Sequence, residues 1–345
     1  MVGQMQENEV KSRSQDVIEM RPDIDELTER FGPKKEDSLL LADAYSKLGF
    51  RFHDRYIRVA NCGTFLEFAH DVDLNSGEVS EHGRLHNANF CRDLLCPMCQ
   101  WRKSLKQISQ LSKVMNHEMI KGRYKPVFIT LTIPNVPYDK LSEGINDCLK
   151  SFDRLMKRKK YKSLIMGYYR SLEVTVNRRT RTFHPHLHVL VLVPLSYGKT
   201  KGMYVSHDEL LDDWRQACRD QSITQVDIRA IKNLHQDPDK DNLMSAAIEV
   251  AKYAAKVPKS CYQPDIVAHL VIGLQDRRTY SYGGIMKVVY QEMRLEDVKT
   301  ADLVHINDEV PSPVMQMIVK YGWTPSGYQL MDTRFERNYL EDEVC

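Results

Sequence analysis

The sequence lacks any continuous apolar run of the ~18 residues that a membrane-spanning helix requires. Its first residues, Met1–Asn8, contain no apolar signal region. Neither sign of charge dominates, because the formal net charge is only +2, which argues against a protein that binds nucleic acid with its whole surface. No internal repeat or low-complexity run is present. We therefore expect a cytoplasmic protein with no membrane partner, in a compartment where thiols stay reduced.

Three histidines stand two residues apart in the segment Phe183–Val193, which continues as an apolar, β-branched run. Such a run, bounded by Pro194, predicts a strand. Alternate side chains of a strand share a face, so His184, His186 and His188 project together. Two imidazoles in this arrangement can bind one divalent ion through their ring nitrogens, although solvated histidines at a strand end would have the same spacing.

The preceding segment, Gly167–Asn177, alternates like a half-buried strand, and a short polar linker joins it to the histidine segment. This pattern predicts a β-hairpin, and a symmetrical fold about the linker places Glu173 opposite His186. Glu173, His186 and His188 would then form a three-ligand site suited to Mn²⁺ or Mg²⁺. His184, at the strand entrance, is not expected to be a primary ligand. A register slip of one residue would turn Glu173 to the other face.

A helix is predicted over Met244–Val257, because its apolar residues fill one arc at about 100° per residue. The opposite arc holds Glu249, Lys252, Tyr253 and Lys256. A tyrosine with a purely structural role is expected on the apolar arc, so the position of Tyr253 favours a chemical role. Glu249 lies one helical turn before Tyr253 and is its neighbour. The alternative is an ordinary solvated face with Glu/Lys pairs.

Four cysteines fall within residues 62–99, and the last two have the Cys-x-x-Cys spacing of a zinc knuckle. They are Cys62, Cys91, Cys96 and Cys99. In a reducing compartment we expect their thiolates to hold a structural Zn²⁺, with His82 and His86 as candidate replacement ligands. Free core cysteines are the alternative. The other cysteines, Cys148, Cys218, Cys261 and Cys345, have no such spacing and are expected to be plain thiols.

Positive charge is concentrated in three segments. Residues 101–125 carry seven basic side chains against one glutamate, residues 155–162 carry five, and the hairpin linker at 178–181 carries three. Such concentrations are typical of phosphate-contacting surfaces, although each is also consistent with a soluble helix face. Residues 277–284, which are basic, aromatic and glycine-bearing, are expected to form a loop that could bind single-stranded DNA or be a plain turn.

Periodicity and proline positions predict the remaining elements. Helices are expected within residues 25–50 and at 101–121, 139–160, 207–220 and 264–275, and strands at 55–60, 63–68, 127–133 and 224–231.

Four of these segments resemble the motifs of a known family. The segments His184–Leu190 and Glu249–Lys256 resemble motifs of the replication initiators of bacterial rolling-circle plasmids. These initiators are HUH endonucleases, in which U is a hydrophobic residue. Phe128–Asn135 resembles the first motif of that family, and Cys91–Lys103 resembles its upstream cysteine motif. The motifs occur in the family's order and span about residues 62–287.

The resemblance implies an α+β fold: an HUH-type ferredoxin-like palm, which is a central antiparallel sheet flanked by helices, with an N-terminal zinc-binding module. It implies a divalent metal on His186 and His188. It also implies that Tyr253 is the nucleophile, which would form a 5′-phosphotyrosyl link and leave a free 3′-OH for a polymerase, and that Glu249 handles a later hydrolytic step.

The phenol of Tyr253 has a pKa of about 10 when unperturbed, so its anion must be stabilised. Lys252, Lys256 or the metal could each do this, and Glu249 can deprotonate water as a general base.

The implied substrate is the double-strand origin of a plasmid, in single-stranded or hairpin form at the nick. The implied partners are a host helicase and a DNA polymerase in the bacterial cytoplasm, and a homodimer is conceivable. We expect a polar leader and helix at 1–50, a cysteine-rich zinc-binding module at 51–110, an HUH endonuclease domain at 111–290 and an appended C-terminal element at 291–345.

Two alternatives compete with this interpretation. One is another HUH enzyme, a transposase or a relaxase, although no fused helicase or second nearby tyrosine supports a relaxase, and the cysteine motif argues against the small transposases. The other is a non-enzymatic zinc-containing DNA-binding protein in which the histidines serve structure.

Overall fold

The computed structural model describes residues 24–73, 76–230, 261–306 and 315–337. Two antiparallel sheets and a set of surrounding helices make up these residues, which confirms a mixed fold of helices and antiparallel strands. None of the helices in these ranges has an apolar stretch long enough to cross a membrane. The predicted helix at Met244–Val257 lies outside the described residues.

The helices are α1 Ile24–Ser46, α2 His53–Asn61, α3 Pro97–Asn116, α4 Leu141–Lys157, α5 Lys159–Leu164, α6 His207–Cys218, α7 Pro264–Leu274 and α8 Ile285–Glu292. The strands are β1 Phe65–Val72, β2 Arg84–Ala88, β3 Tyr124–Thr132, β4 Val136–Pro137, β5 Gly167–Asn177, β6 Thr182–Pro194, β7 Val226–Ala230, β8 Tyr280–Gly284, β9 Met315–Thr324 and β10 Gly327–Arg337.

The larger sheet has the strand order β7-β3-β6-β5-β8, with the short β4 paired to β6 at the side. Its principal elements follow one another along the chain as β3, α4, β5, β6, α6 and β7, which is a β-α-β-β-α-β sequence. The two hairpin strands therefore do not lie at an edge: β6 is flanked by β3 and β5, and β5 is flanked by β6 and β8.

The β5–β6 hairpin has the predicted register. Val176 pairs with Phe183, and Glu173 pairs with His186. Because paired residues of an antiparallel ladder project to the same side, the carboxylate and the imidazole share one face of the sheet.

Helices cover both faces of this sheet. One face packs Leu187, Val189 and Val191 against apolar side chains of α4, α6 and α7. The other face packs Phe128, Tyr169 and Leu190 against the C-terminal half of α3 and against α8. Successive side chains of β6 point to opposite faces of the sheet. Its second half is apolar at every position and is therefore buried on both faces, as is typical of a central strand.

The smaller sheet has the order β10-β9-β1-β2. Strand β9, which belongs to the segment expected to form an appended C-terminal element, pairs directly with β1, near the cysteines, and β10 pairs with β9. The guanidinium of Arg102 strengthens this connection, because it is buried and donates hydrogen bonds of 2.8 and 2.6 Å to the carbonyl oxygens of Leu303 and Val304.

Two secondary-structure predictions are wrong. Residues 55–60 form helix α2 rather than a strand, because the apparent alternation also fits a helix that buries Val59 and pairs Arg58 with Asp54 one turn earlier at 2.8 Å. Residues 280–284 form strand β8 rather than part of a loop. The alternate residues Tyr280 and Tyr282 pack on the α3/α8 face, and β8 takes the free edge of β5.

Leu187→Ala tests this alternation. Leu187 is fully buried between two histidines that point the other way. We expect a loss of ~2–5 kcal/mol in the free energy of unfolding, because the substitution leaves a cavity in a close-packed core. Leu40→Ala, at a position that is 50% exposed, is the control and should change stability by less than ~0.5 kcal/mol. Urea unfolding measures both, and a loss at Leu187 as small as that at Leu40 would contradict the burial.

Candidate functional site

A carboxylate and two histidines meet on the α3/α8 face of the larger sheet. Glu173 Oε2 lies 2.8 Å from Nε2 of His186 and 2.8 Å from Nε2 of His188. Both histidines are largely buried, with 8% and 5% of their surface exposed. Each of the three residues offers one ligand atom, and these atoms lie within 4.8 Å of one another, so together they could hold one metal ion.

Backbone and side-chain contacts orient the two rings. Nδ1 of His186 donates to the carbonyl oxygen of His184 at 3.0 Å, which points its Nε2 at Glu173. Nδ1 of His188 lies 3.4 Å from the hydroxyl of Thr130, and its ring stacks on Phe128 with the centroids 5.7 Å apart. Such contacts to the outer nitrogen hold a histidine in the tautomer and orientation that a metal needs.

The carboxyl of Glu173 is held in its charged form. Burial on its own raises the pKa of this group, but the hydrogen bonds from His186 and His188 outweigh burial and lower the pKa to about 2. An ionised oxygen therefore faces two imidazole nitrogens at neutral pH.

His184 lies outside this group of ligand atoms. Its ring centroid is 5.4 Å from that of His186. Burial, followed by the charge of His186, lowers the pKa of His184, and a hydrogen bond to the carbonyl of Ile133 opposes the shift. The structure thus places His184 beside the cluster, where it contacts backbone rather than Glu173.

The four cysteines of residues 62–99 form a second cluster. Their sulfur atoms lie within 4.8 Å of one another, and Cys62, Cys96 and Cys99 are buried. The Sγ–Sγ distances are 3.6 Å between Cys62 and Cys99 and 3.7 Å between Cys91 and Cys99. A disulfide needs ~2.05 Å. Four thiolates at ~2.3 Å around a tetrahedral ion would be ~3.8 Å apart, so the spacing fits a shared metal ion.

Backbone amides support the sulfur atoms. The amide of Arg92 donates to Cys99 Sγ at 3.1 Å, and that of Asp93 donates to Cys91 Sγ at 3.4 Å. Arg92 adopts a left-handed backbone with φ of 58°, which turns the loop around the cluster. N–H donors of this kind stabilise the charged form of a thiol.

Helix α1 contributes residues that the sequence analysis did not single out. The Lys35 ammonium is 1% exposed and donates to the carbonyl oxygens of Ala60 and Cys62 at 2.7 and 2.8 Å. Burial lowers the pKa of Lys35, while the neighbouring thiols of Cys62 and Cys96 raise it. A buried cation beside thiols is expected where the thiols carry negative charge.

Ser38 and Tyr45, also on α1, hold the same loop. The Ser38 hydroxyl lies 3.5 Å from Cys96 Sγ, and the Tyr45 hydroxyl donates to Asp93 at 3.0 Å. Nothing in the local sequence marks these positions, since only the packing of α1 on the cysteine loop brings them there.

The other candidate residues that the structure describes are not part of either cluster. His86 faces Glu336 at 3.8 Å and His82 is exposed, so neither replaces a cysteine. Cys148, Cys218 and Cys261 form no disulfide. Cys345 lies outside the described residues, as do Glu249, Lys252, Tyr253 and Lys256, which are therefore not located relative to Glu173.

Lys35→Met tests the contribution of the buried ammonium. The substitution keeps the length of the side chain but leaves two buried carbonyls without their donor, and we expect a loss of ~2–4 kcal/mol in the free energy of unfolding. Lys47→Met is a matched control just after the end of α1, where the side chain is exposed and pairs with Asp43. It should cost less than ~0.5 kcal/mol. Equal effects of the two substitutions in urea unfolding would contradict the role of Lys35.

Comparison with known proteins gives a consistent result. The family model for replication proteins matches residues 82–329, which include Glu173, both cluster histidines and three of the four cysteines. Protein rep of Streptococcus pneumoniae serotype 2 is 38% identical over 277 residues, covering 79% of this chain and 82% of that protein. Protein rep of Lactiplantibacillus plantarum is 34% identical over 269 residues, covering 73% and 84%.

A third relative, Protein rep of Staphylococcus aureus, is 39% identical over 198 residues, covering 57% of this chain and 80% of that protein. No solved structure matches the chain. The extent of these matches confirms the resemblance noted in the motifs: the chain belongs to the replication protein family, the rolling-circle initiators of bacterial plasmids.

Proposed function

We propose that this replication initiator nicks one DNA strand at a plasmid origin and transfers it through a covalent intermediate, in a metal-dependent reaction. The observation that carries the proposal is the cluster of Glu173, His186 and His188, whose ligand atoms converge on one face of an antiparallel sheet. A carboxylate and two imidazoles leave coordination positions open for a substrate oxygen.

The topology of the larger sheet supports an HUH-type ferredoxin-like palm. Numbering the strands of the β-α-β-β-α-β unit from one to four in chain order, their spatial order is 4-1-3-2, and each neighbouring pair is antiparallel. This is the arrangement of two split β-α-β units that defines the ferredoxin-like fold. In it the histidine strand is the third and lies beside the first, whose segment Phe128–Asn135 carries the first family motif.

The donor set suits Mn²⁺ or Mg²⁺, with Glu173, His186 and His188 as the residues that would hold the ion. When bound, the ion supplies Lewis acidity at the scissile phosphate. The chain contributes the orientation of the ligands, since His184 and Thr130 hold the outer nitrogens of the two rings. Glu173 contributes negative charge that favours a cation over bound water.

Tyr253 is the proposed nucleophile. Its oxygen would attack phosphorus and form a 5′-phosphotyrosyl ester, while the bond to the 3′ oxygen breaks and that oxygen leaves as a 3′-OH. Lys252 or Lys256 would stabilise the phenolate that attacks. Glu249, one turn earlier on the predicted helix, would deprotonate a water that hydrolyses the ester when replication ends.

The four cysteines are proposed to hold a structural Zn²⁺, because four thiolates in a tetrahedral arrangement are a preferred zinc site. The proposed substrate is plasmid double-strand origin DNA, which would be single-stranded or in hairpin form at the nick. The proposed partners are a host helicase and a DNA polymerase. We also propose that the protein acts in the bacterial cytoplasm and forms a homodimer. The division of the chain into residues 1–50, 51–110, 111–290 and 291–345 is likewise a proposal.

His188→Ala tests the metal centre. We expect strand cleavage to fall more than ~100-fold, because an inner ligand is lost, while DNA binding remains within ~3-fold. His207→Ala, which removes an exposed imidazole on α6, is the control and should cleave normally. The measurement is cleavage of a single-stranded origin oligonucleotide with Mn²⁺, alongside binding without added metal. Full cleavage by His188→Ala would overturn the role of His188 as a metal ligand, whereas absence of cleavage by the unchanged protein would favour the interpretation as a non-enzymatic DNA-binding protein.

Tyr253→Phe and Glu249→Gln test the division of chemistry on the predicted helix. Tyr253→Phe should eliminate the covalent protein–DNA complex and initial nicking, because the hydroxyl is lost. Glu249→Gln keeps the shape but removes the basic oxygen, so the covalent complex should remain or accumulate while hydrolysis is impaired.

A denaturing gel of protein linked to labelled oligonucleotide measures the first effect, and multimeric plasmid products in cells measure the second. A covalent complex formed by Tyr253→Phe would move the nucleophile to another residue. Normal termination by Glu249→Gln would remove the water-activating role, and the position of the nick on an origin hairpin would separate an initiator from a transposase or relaxase.

A further inference from the structure

A basic cleft lies between the cysteine cluster and the larger sheet. It has a volume of about 270 Å³. One wall is formed by α2, the cysteine loop and the start of α3, and the other by residues 274–280, at the end of α7 and the start of β8, together with residues 297–299. The cleft therefore lies beside the cysteine loop and belongs to neither candidate metal site.

The lining is strongly positive. Among its side chains, seven are basic and three are acidic. The basic residues are Arg55, Arg58, Arg92, Lys103, Arg277, Arg278 and Lys299, and the acidic residues are Asp93, Asp276 and Asp297. A concave surface with an excess of positive charge concentrates its field on an anion inside it.

Four of the basic groups are engaged by the protein itself. Arg55 pairs with Asp93, and Arg58 pairs with Asp54 at 2.8 Å. Arg278 pairs with Asp297 at 2.9 Å. Arg277 braces the wall by donating to Ser142 Oγ at 2.6 Å and to the carbonyl of Gly273 at 2.7 Å. Two of the three lining carboxylates are thereby neutralised.

The other three basic groups form no ion pair with a carboxylate in the described part of the chain. Arg92 is exposed and donates to the carbonyl of Thr300 at 2.7 Å. Lys103 Nζ lies 3.5 Å from the carbonyl of Arg92, and Lys299 is exposed. The charged groups of these three side chains do not contact a carboxylate among the described residues. They are therefore available to bind a phosphate.

One wall of the cleft lies close to the strand position of Glu173. Tyr280, in the wall, pairs with Ser171 on β5, and Ser171 pairs with His188 on β6. Paired residues share a face, so the wall stands on the same face as the metal ligands. Ser171 precedes Glu173 by two strand positions, a distance of ~7 Å along β5.

The volume favours a single strand. A DNA duplex is wider than its major groove, which is itself ~12 Å wide. It is therefore too wide to enter a cleft of about 270 Å³. A single strand can place a phosphate on Arg92, Lys103 and Lys299, with the partly exposed side chain of Leu94 against a sugar or base.

We propose that this cleft binds the backbone of the single-stranded DNA leading into the Glu173–His186–His188 centre. The assignment rests on the proposed function for the identity of the strand, and it gives the cysteine module a second role: its loop and the helix that starts from it supply two of the three unbalanced cations, Arg92 and Lys103.

The test removes two of the charges at once, in Lys103→Gln/Lys299→Gln. Binding of a labelled 20-nucleotide single strand is measured by fluorescence anisotropy between 50 and 200 mM salt, with no added divalent ion so that nothing is cleaved. Losing two phosphate contacts should reduce the slope of log affinity against log salt by ~1.4 and lower affinity on the order of 25-fold at 100 mM salt. Lys103→Arg/Lys299→Arg keeps the charge and should bind as the unchanged protein does.

The matched control is Lys199→Gln/Lys201→Gln, in the exposed loop after β6 at the opposite end of the sheet. Its affinity should stay within twofold. Unchanged binding by Lys103→Gln/Lys299→Gln would overturn the proposal, and so would an equal loss of affinity for a blunt duplex, since the cleft would then not select a single strand.

A parallel nicking assay separates this proposal from the function on which it rests. If the unchanged protein nicks origin DNA but the cleft variant binds normally, the cleft assignment alone fails. If the unchanged protein nicks nothing and the cleft variant still loses single-strand affinity, the cleft stands and the nicking function fails.

Discussion

The register of the β5–β6 hairpin is the constraint on which the candidate site depends. Pairing Glu173 with His186 puts one carboxylate oxygen within 2.8 Å of two imidazole nitrogens. A slip by one residue would turn Glu173 into the apolar core beneath α4. The alternation of polar and apolar residues along β5 opposes this slip. A slip would also remove Leu172 and Val174 from the apolar core, where they are buried on the other face.

The cysteine cluster depends on elements from distant parts of the chain. Its loop is held by α1 through Lys35, Ser38 and Tyr45, while β1 beside it pairs with β9 from beyond residue 314. Buried thiolates are costly to remove from water unless their negative charge is balanced. The Lys35 ammonium balances part of this charge and a bound metal ion would balance more, so the packing around the loop and the binding of a metal are expected to stabilise each other.

Helix α3 connects the two clusters. It begins at Pro97, between Cys96 and Cys99, and its far end packs Leu111, Val114 and Met115 under the sheet face that carries the histidines. Lys103 lies between these ends, at the basic cleft. This helix therefore sets the distance between the cysteine cluster and the Glu173–His186–His188 cluster.

Short-range patterns in the sequence were sufficient for the main features of the site. Period-two alternation and a short polar linker predicted the hairpin and its register, because these depend on residues close in the chain. Cys-x-x-Cys spacing marked Cys96 and Cys99 in the same way, whereas tertiary packing brings Cys62 to them. The strand prediction at residues 55–60 was wrong because a short amphipathic segment fits both the strand period and the helix period. Its packing against α1 selects the helix.

Contacts between segments far apart in sequence were decided by the tertiary structure alone. The pairing of β1 with β9, the burial of Lys35 beside the thiols and the cleft shared by Lys103 and Lys299 each join residues with no local relation. No periodicity encodes such contacts, since they arise from which apolar faces and strand edges remain to be covered after the local elements have formed.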